Sequence, residues 1–403
     1  MAINTNRLLF CVFVSTLMSS IFLLLVPQSC HAQMQYFVRP LMNNCRFDAI
    51  YQLGDSISDT GNLIRETPIG AALPLARLPY GQTHFNYATG RCSNGLLIID
   101  YLALTSGFSL LDPYKNIDGD FRHGVNFAVA GSTALPTQIL AAKNISSPVT
   151  SSSLNVQLDW MSTYFNSTCH DNTECVKKLK SSLFMVGEIG GNDYNYALFQ
   201  GKSIEEVKTI VPNVVHAIKD AVKRVIHYGA VRIVVPGNFP IGCFPIYLTR
   251  FKTNDSTAYD EHHCLKALND FSTYHNDHLQ KAIEELKQEY PNAIIAYGDY
   301  FNIFIWLFQN TEYLGFNATN VLKACCGTGG DYNFDPTRMC GAPDVPVCAD
   351  PETFISWDGV HMTQRAYKIM AGKLIRDMLL QLRCVTTRAA NEPTARARLG
   401  LVR

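Results

Sequence analysis

The sequence has no surplus of charge of either sign. Its 403 residues include 34 lysines and arginines and 34 aspartates and glutamates, so the formal net charge is +0 at pH 7. A balanced chain gives no indication of a nucleic-acid partner or of attraction to an anionic surface. Charged residues make up only 17% of the chain and hydrophobic residues 47%, which is typical of globular proteins and not of disordered ones.

The sequence also lacks internal repeats, a linker that divides it, and any apolar stretch beyond the N-terminus that predicts a membrane span. We therefore expect a single domain over residues 45–384, which is large for one domain. Residues 385–403 contain several arginines but no apolar period, so we predict a disordered tail there.

The N-terminus has the pattern of a secretory signal peptide. Arg7 supplies a positive charge, residues 8–26 are mostly apolar, and small residues offer a cleavage site after Ala32. An uncleaved signal anchor is the alternative, but serine and threonine residues dilute the apolar run. We predict a signal peptide over residues 1–32 and a short extension over residues 33–44, with no stable membrane insertion after cleavage.

Cysteine usage agrees with secretion. Of the 13 cysteines, Cys11 and Cys30 lie in the predicted signal peptide, and the odd number that remains leaves at least one thiol unpaired in the monomer. Cys169 and Cys175 are placed to close a small disulfide loop, and four more cysteines crowd residues 325–348. A structural metal site needs pairs at finger-like spacing, which the adjacent cysteines of that segment do not match, so we predict no metal.

Four Asn-x-Ser/Thr sequons are acceptors for N-glycosylation, and their position behind a signal peptide predicts that some are used. They are Asn144, Asn166, Asn254 and Asn317. We expect the protein in the secretory pathway, with either the apoplast or the vacuole as its destination.

Short apolar runs alternate with amphipathic helices along the chain. The runs are nearly continuous in apolar residues, as expected for parallel strands that are buried on both faces. Five strands are predicted, over residues 47–53, 125–130, 183–186, 231–235 and 293–297. Strands that alternate with helices predict an α/β domain with helices on both faces of the sheet.

Three helices are indicated by apolar positions at intervals of three and four residues. The first spans residues 203–227, where Ser203 and Glu206 match a capping box and Gly229 marks the end. The second runs over residues 265–286, and the third begins at Thr363.

The first predicted strand ends at Gly54-Asp55-Ser56. Ligands of open α/β sheets bind beyond the carboxyl ends of the strands, so Ser56 is placed to act as a nucleophile. The same triplet is equally typical of a turn in which Asp55 and Ser56 merely cap the backbone.

A serine hydroxyl is a poor nucleophile without a base. Asp358 and His361 lie three residues apart before the last predicted helix, and they match the carboxylate–imidazole half of a catalytic triad. Taken alone, this pair is more often a helix cap. Four other histidines are predicted to lie on a helix as surface or packing residues, and a metal role for the last two lacks the further ligands that a metal needs. They are His262, His263, His275 and His278.

Acyl transfer also needs donors for the developing oxyanion. Gly131 follows the second strand with an unobstructed backbone N–H, and Asn192 follows the third strand with a side-chain amide. Each is an ordinary turn residue when taken alone. The combination of Ser56, these two donors and the Asp358–His361 pair predicts a site for acyl transfer.

In this order the motifs resemble those of the SGNH hydrolases, and specifically of the plant GDSL esterase/lipase family. "GDSISDTGN" matches the nucleophile block at Ser56, "NFAVAGS" the glycine block at Gly131, and "GGND" the block at Asn192. "DGVH" matches the block at Asp358 and His361, and "LPYGQTHFNYATGRCSNGLLIIDYLA" resembles the segment that follows the first block. The likeness covers nearly all of the chain behind the signal peptide, and it is greatest with the branch that contains acetylajmalan esterase and sinapine esterase.

The resemblance implies a flavodoxin-like, three-layer α/β/α fold with a parallel central sheet. It implies that Ser56 attacks an ester carbonyl, that His361 takes the proton, and that Asp358 orients the imidazole ring. The backbone N–H groups of Ser56 and Gly131 and the side chain of Asn192 would form the oxyanion hole. No cofactor is expected, and the expected partner is a small-molecule ester.

The substrate stays open at this stage. An acyl ester, for example an acetyl ester, of a plant specialised metabolite is the expected substrate, with lipid or cell-wall acyl esters as alternatives. An acyltransferase would use the same serine to deliver the acyl group to an alcohol. A binding module that has lost catalysis would show a degraded block, and none is degraded here. Ala88 and Asn94 stand where the family usually has proline and aspartate, which bears on the substrate range.

Overall fold

The chain folds around a five-stranded parallel sheet with the strand order β2-β1-β3-β4-β5. A computed structural model describes residues 46–66, 68–169 and 172–384. The predicted signal peptide, N-terminal extension and C-terminal tail lie outside these residues. The strands are β1 (Ile50–Leu53), β2 (Gly124–Asn126), β3 (Leu183–Val186), β4 (Arg232–Pro236) and β5 (Ile294–Gly298).

Helices connect the strands and cover both faces of the sheet. They are α1 (Leu63–Glu66), α2 (Pro68–Ala72), α3 (Ile98–Thr105), α4 (Thr137–Ala142), α5 (Leu154–Thr168), α6 (Asn172–Lys180), α7 (Gly191–Phe199), α8 (Ile204–Lys208), α9 (Val211–Tyr228), α10 (Pro245–Arg250), α11 (Lys266–Glu289), α12 (Tyr300–Gln309) and α13 (Gln364–Gln381). Helices α5, α9 and α11 pack together on one face, and α3, α12 and α13 pack together on the other. The result is the three-layer α/β/α arrangement that was expected.

All five predicted strands are present, and the core explains why. The residues of β1 and β3 are buried throughout, which matches their continuous apolar sequence. The second strand is shorter than predicted and ends at Asn126. Beyond it, the N–H groups of Phe127 and Val129 still donate to β1 and the residue after it, at Gln52 O and Gly54 O. The apolar run therefore continues along the sheet edge without forming a regular ladder.

One predicted helix is two helices in the structure. The stretch from residue 203 to 227 divides into α8 and α9, because Pro212 lacks a backbone N–H and is tolerated only in the first turn of a new helix. The capping box at Ser203 and Glu206 is confirmed, and Gly229 is the C-cap of α9.

The predicted positions of the histidines are partly wrong. His262 and His263 precede α11, which begins only at Lys266, whereas His275 and His278 lie on it. His275 is buried, and its Nδ1 lies 2.7 Å from the hydroxyl of Tyr194. Within the described residues, no group of three or more His, Cys, Asp or Glu side chains is placed to hold a metal ion.

Disulfides fasten the loops of the domain. The small loop between Cys169 and Cys175 is confirmed, and Cys243 pairs with Cys264. In the crowded segment, Cys325 pairs with Cys348 and Cys326 pairs with Cys340. Cys92 is a free and buried cysteine. In the part of the chain that the structure describes, none of the helices is long and apolar enough to cross a bilayer.

A buried ion pair provides a test of the packing. The guanidinium of Arg91 lies 2.8 Å from the carboxylate of Asp100, and their side chains are 6% and 0% exposed. Removing one partner leaves an uncompensated buried charge, so Arg91→Met is expected to lower the free energy of unfolding by about 3–5 kcal/mol in chemical denaturation.

The matched control is Arg122→Met, which breaks the exposed pair of Arg122 with Asp120. Solvent screens this pair, so its loss is expected to leave the denaturation midpoint unchanged. Equal effects of the two substitutions would contradict a structural role for the buried pair.

Candidate functional site

The sheet order places one strand end at the centre of the site. The direction of the strand order reverses around β1, whose neighbours are β2 and β3, and such a switch point forms a crevice at the carboxyl ends of the strands. The turn after β1 carries Gly54, Asp55 and Ser56. A Cβ atom on Gly54 would lie 2.6 Å from Ser58 Oγ and 3.0 Å from the carbonyl of Glu188, so only glycine allows this approach to the loop after β3.

The two polar residues of the Gly-Asp-Ser triplet have different contacts. Asp55 serves the turn, because its Oδ1 accepts from the N–H of Ile57 at 3.0 Å. Ser56 is freed from that task and is only partly buried. Its hydroxyl oxygen lies 2.8 Å from Nε2 of His361, which is 305 residues further along the chain.

The histidine in turn contacts the aspartate predicted to orient it. His361 Nδ1 lies 2.8 Å from Asp358 Oδ2, so the imidazole bridges the serine hydroxyl and the carboxylate. The backbone N–H groups of Val360 and His361 donate to Asp358 Oδ1 at 2.9 and 2.7 Å. The structure therefore brings Ser56, His361 and Asp358 together in the geometry of a Ser-His-Asp triad.

The electrostatics of this pair follow from burial and proximity. Burial would raise the pKa of Asp358, which is 2% exposed, but the facing imidazole and the backbone N–H groups lower it overall. Burial would lower the pKa of His361, but the charge of Asp358 raises it well above its usual value. The aspartate is thus held ionised in the interior and favours the imidazolium form of its neighbour.

The cysteine-rich segment supports the loop that carries the pair. The N–H of Cys325 donates to the carbonyl of Ser356 at 3.1 Å, and the N–H of Cys326 donates to that of Trp357 at 2.7 Å. Two disulfides fix these cysteines, and the ring of Trp357 is fully buried against them. The loop before α13 is therefore fastened to the disulfide-bonded segment.

The two predicted oxyanion donors follow β2 and β3, the strands on either side of β1. Gly131 has φ 81° in the turn after β2, and a Cβ there would lie 2.5 Å from a methyl group of Val149. Asn192 lies in the first turn of α7, where its Nδ2 donates to Asp55 Oδ2 at 3.1 Å and to Ser132 O at 2.9 Å. Both hydrogens of this amide are thus engaged, one of them by the residue that precedes Ser56.

Sequence reasoning missed a group of buried carboxyl side chains around the turn. Glu188 hydrogen-bonds Asp55, and burial together with the charge of Asp55 raises the pKa of Glu188 well above its usual value. Burial also raises the pKa of Asp55 to about 6 and that of Asp193 to about 7. Asp193 accepts from the N–H groups of Ala134 and Leu135 at 2.8 and 3.0 Å, which fixes the loop that follows Gly131. The acidic residue after Asn192 in "GGND" was the available indication.

A second residue that was missed is Tyr80. Its hydroxyl donates to Asp358 Oδ2 at 2.8 Å, on the same oxygen that faces His361. It lies in the stretch that resembled the family segment after the first block, but nothing in the residue pattern linked it to an aspartate 278 positions away.

A small pocket opens beside Ser56. Its volume is about 60 Å³. Ser56 and His361 line it together with a group of mainly polar residues, which are Asp55, Glu188, Gly191, Asn192, Asn195 and Asn238. The other residues of the lining, here called the apolar side, are Ile57, Phe239, Ile241, Phe244, Tyr247 and Val360. The pocket is small beside the usual ligand sites of about 300–1,000 Å³.

The four predicted glycosylation acceptors all lie at the surface. The side chains of Asn144, Asn166, Asn254 and Asn317 are exposed. Their position is compatible with modification, which stays a prediction.

Comparison with known proteins gives a consistent result. A family model described as "GDSL-like Lipase/Acylhydrolase" matches residues 50–374. The chain is 47% identical over 340 residues to acetylajmalan esterase 1 of Rauvolfia serpentina, covering 84% of this chain and 89% of the relative. It is 45% identical over 343 residues to a GDSL esterase/lipase of Arabidopsis thaliana, covering 85% and 92%.

The pair of His361 and Asp358 generates a prediction about titration. We expect the imidazole of His361 to titrate above ~6.5, the ordinary value for histidine, because the aspartate stabilises its charged form. NMR of protein labelled in its histidine rings measures this value. In Asp358→Asn the stabilising charge is gone and burial remains, so the same resonance is expected to titrate at a lower pH than in the wild type.

His216 provides an internal reference, because it is a surface residue of α9 beside Asp220 and does not line the pocket. The chemical shifts of its ring at a fixed pH are expected to be the same in both proteins. A titration of His361 that does not respond to Asp358→Asn would contradict the electrostatic coupling.

Proposed function

Because the chain belongs to the family of GDSL-like lipases and acylhydrolases and is a serine carboxylic ester hydrolase, we propose that Ser56, His361 and Asp358 catalyse its reaction through an acyl-enzyme. The observation that carries this proposal is the placement of one imidazole at 2.8 Å from both the Ser56 hydroxyl and the Asp358 carboxylate. A nucleophile, a general base and a group that orients the base are the parts that such a mechanism requires.

In the first step, Ser56 Oγ attacks the ester carbonyl while its proton passes to His361 Nε2. Asp358 holds the ring by its Nδ1–H and stabilises the imidazolium that forms. The imidazolium then gives its proton to the departing alcohol as the carbonyl–oxygen bond breaks, and the acyl group stays on Ser56. Water, activated by the same Nε2, attacks the acyl-enzyme and releases the acid with the serine restored.

The oxyanion of each tetrahedral intermediate would be held by the N–H groups of Ser56 and Gly131 and by the amide of Asn192. The proximity of the three residues at the ends of β1, β2 and β3 supports this assignment. Asn192 would give up the bond to Asp55 or the bond to Ser132 O in order to donate to the oxyanion. Catalytic hydrogen bonds commonly form only once substrate is bound.

The substrate that fits best is an ester of a short acyl group, such as acetyl, with a plant specialised metabolite as the alcohol. The pocket volume of about 60 Å³ supports this, since an engineered cavity that binds benzene is about 150 Å³. The similarity to an enzyme named acetylajmalan esterase also supports it. The acyl group would lie against the apolar side of the pocket, where Phe239, Phe244 and Tyr247 exclude larger chains.

The protein is further proposed to be a secreted glycoprotein. The N-terminal sequence pattern, the disulfides and the four exposed sequons support this proposal.

Removal of the nucleophile tests the mechanism directly. Ser56→Ala is expected to lower kcat on 4-nitrophenyl acetate by several powers of ten, since the proposed acyl-enzyme forms on the hydroxyl that this substitution removes. The control is Ser58→Ala, which deletes another buried hydroxyl of the same turn that has no hydrogen-bond partner among the described residues. We expect the control to keep the wild-type rate. Activity of Ser56→Ala equal to that of the control would reject Ser56 as the nucleophile, and a dominant transesterified product with added alcohols would reject simple hydrolysis.

The pocket volume predicts a steep dependence on acyl length. Among 4-nitrophenyl esters, kcat/KM is expected to be highest for acetyl and to fall at least tenfold for octanoyl and for hydroxycinnamoyl esters. Phe244→Ala enlarges the apolar side and is expected to shift the preference towards longer chains. Phe271→Ala removes a ring that is equally buried but lies in α11 outside the pocket, so it is expected to destabilise the fold without changing the preference. A flat profile in the wild type would contradict the short-acyl assignment.

A further inference from the structure

One segment that resembles the family has no part in the mechanism described above. Residues 79–101, here called the buttress segment, contact the loop that carries Asp358 and His361 and the start of α13. Gln364, the first residue of α13, is held from both sides by this segment. Its N–H donates to Asn94 Oδ1 at 2.7 Å, and its Oε1 accepts from the N–H of Leu96 at 3.0 Å.

The buttress segment also reaches the triad itself. Tyr80 donates its hydroxyl to Asp358 Oδ2 at 2.8 Å, and the thiol of Cys92 lies against the imidazole of His361. The ring of Tyr80 is 4% exposed and packs edge-on against Trp357, with the ring centroids 6.3 Å apart. Tyr80 is therefore fixed by the same buried cluster that fixes the cysteine-rich segment.

We propose that Tyr80 is a positioning residue for the general base, which acts through Asp358 to set the orientation and the basicity of His361. This proposal rests on the proposed function of Ser56, His361 and Asp358. Tyr80 does not touch the reacting atoms, so its effect on catalysis passes through the shared carboxylate oxygen.

Tyr80 and His361 share Asp358 Oδ2, and this explains in which direction Tyr80 changes the pKa of His361. An ionised carboxylate oxygen accepts from two donors, and each donor withdraws part of the negative charge that the other one meets. With Tyr80 in place, Asp358 stabilises the imidazolium less than it would alone. Without the hydroxyl, the carboxylate would favour the imidazolium more strongly, and the pH at which His361 becomes a free base would rise.

Other titratable groups face the same pair. They are Asp55 after β1, Cys92 and Tyr80 in the buttress segment, and Tyr367 on α13. Burial raises the pKa of the Cys92 thiol, the Tyr80 hydroxyl and the Tyr367 hydroxyl, so these three groups are neutral in the range where His361 titrates. Asp358 is the charge in direct contact with the ring, which makes its hydrogen bonds the main control over the pKa.

The test is the pH profile of kcat/KM on 4-nitrophenyl acetate. Tyr80→Phe keeps the packed ring and removes one oxygen atom, and we expect the acidic limb to move up by about half to one pH unit. KM is expected to stay unchanged and kcat to fall several-fold. Tyr194→Phe is the control, because it removes a hydroxyl with an equally short bond, 2.7 Å to His275, from a fully buried ring. It is expected to leave the limb in place.

A second substitution covers the case that Tyr80→Phe does not fold. Replacement of Tyr80 by 3,5-difluorotyrosine keeps the ring and its hydroxyl and makes the hydroxyl a stronger donor, so the acidic limb is expected to move to lower pH. In an Asp358→Asn background, neither change at position 80 is expected to move the limb, because the charge through which Tyr80 acts is gone.

The outcomes separate the two proposals. A uniform loss of activity at every pH, with an unmoved limb, would show that Tyr80 is only structural and would overturn this inference. Limb shifts that persist in the Asp358→Asn background would overturn it as well. Wild-type rates in Ser56→Ala would instead overturn the proposed function, whatever the result at Tyr80.

Discussion

The site depends on the ionised carboxylate of Asp358 in a nearly solvent-free environment. An isolated charge in such a place is strongly unfavourable, and it persists only where hydrogen bonds replace its hydration. Four donors do this: two backbone N–H groups of its own loop, the imidazole of His361 and the hydroxyl of Tyr80. The cysteine-rich segment hydrogen-bonds the loop that carries Asp358, and Tyr80 belongs to residues 79–101, which also hold Gln364 at the start of α13. The disulfides and Tyr80 therefore both support the position of His361, because both act on the loop that carries Asp358.

Near Ser56, the surroundings of a buried carboxyl group favour its neutral form and not its charged form. Asp55 and Glu188 are also buried, but they face each other, and the charge of Asp55 adds to burial in raising the pKa of Glu188. The neutral form of Glu188 is therefore favoured, and in this form it hydrogen-bonds Asp55. Asp358 faces an imidazole and stays charged, whereas Glu188 faces a carboxylate that favours its neutral form. Environment, and not residue type, divides the roles of these acids, as it does in other hydrolases with paired carboxyl groups.

The parts that were predictable from the sequence are those encoded locally. Continuous apolar runs gave all five strands, and small residues at the ends of those strands marked Ser56, Gly131 and Asn192. Tyr80 was not predictable, because its role depends on a contact with Asp358 that only the folded chain creates. The same holds for Glu188, which contacts Asp55 only because the turn after β1 packs on the loop after β3. The break between α8 and α9 was predictable in principle from Pro212, but the apolar period across it obscured the proline.

The aromatic residues that line the pocket lie in a different part of the chain from Ser56, His361 and Asp358. Ser56 follows β1, and Asp358 and His361 lie in the loop before α13. The stretch that follows β4 contains four residues of the apolar side, Phe239, Ile241, Phe244 and Tyr247. That stretch is tied by its own disulfide between Cys243 and Cys264, and the N–H of Ile246 donates to Gly359 O at 3.0 Å as a backbone contact with the triad loop. A backbone contact is insensitive to side-chain identity. In the proposed mechanism, substitutions of these aromatic residues would therefore change which acyl group fits without moving His361, so acyl preference and catalytic competence would be separable.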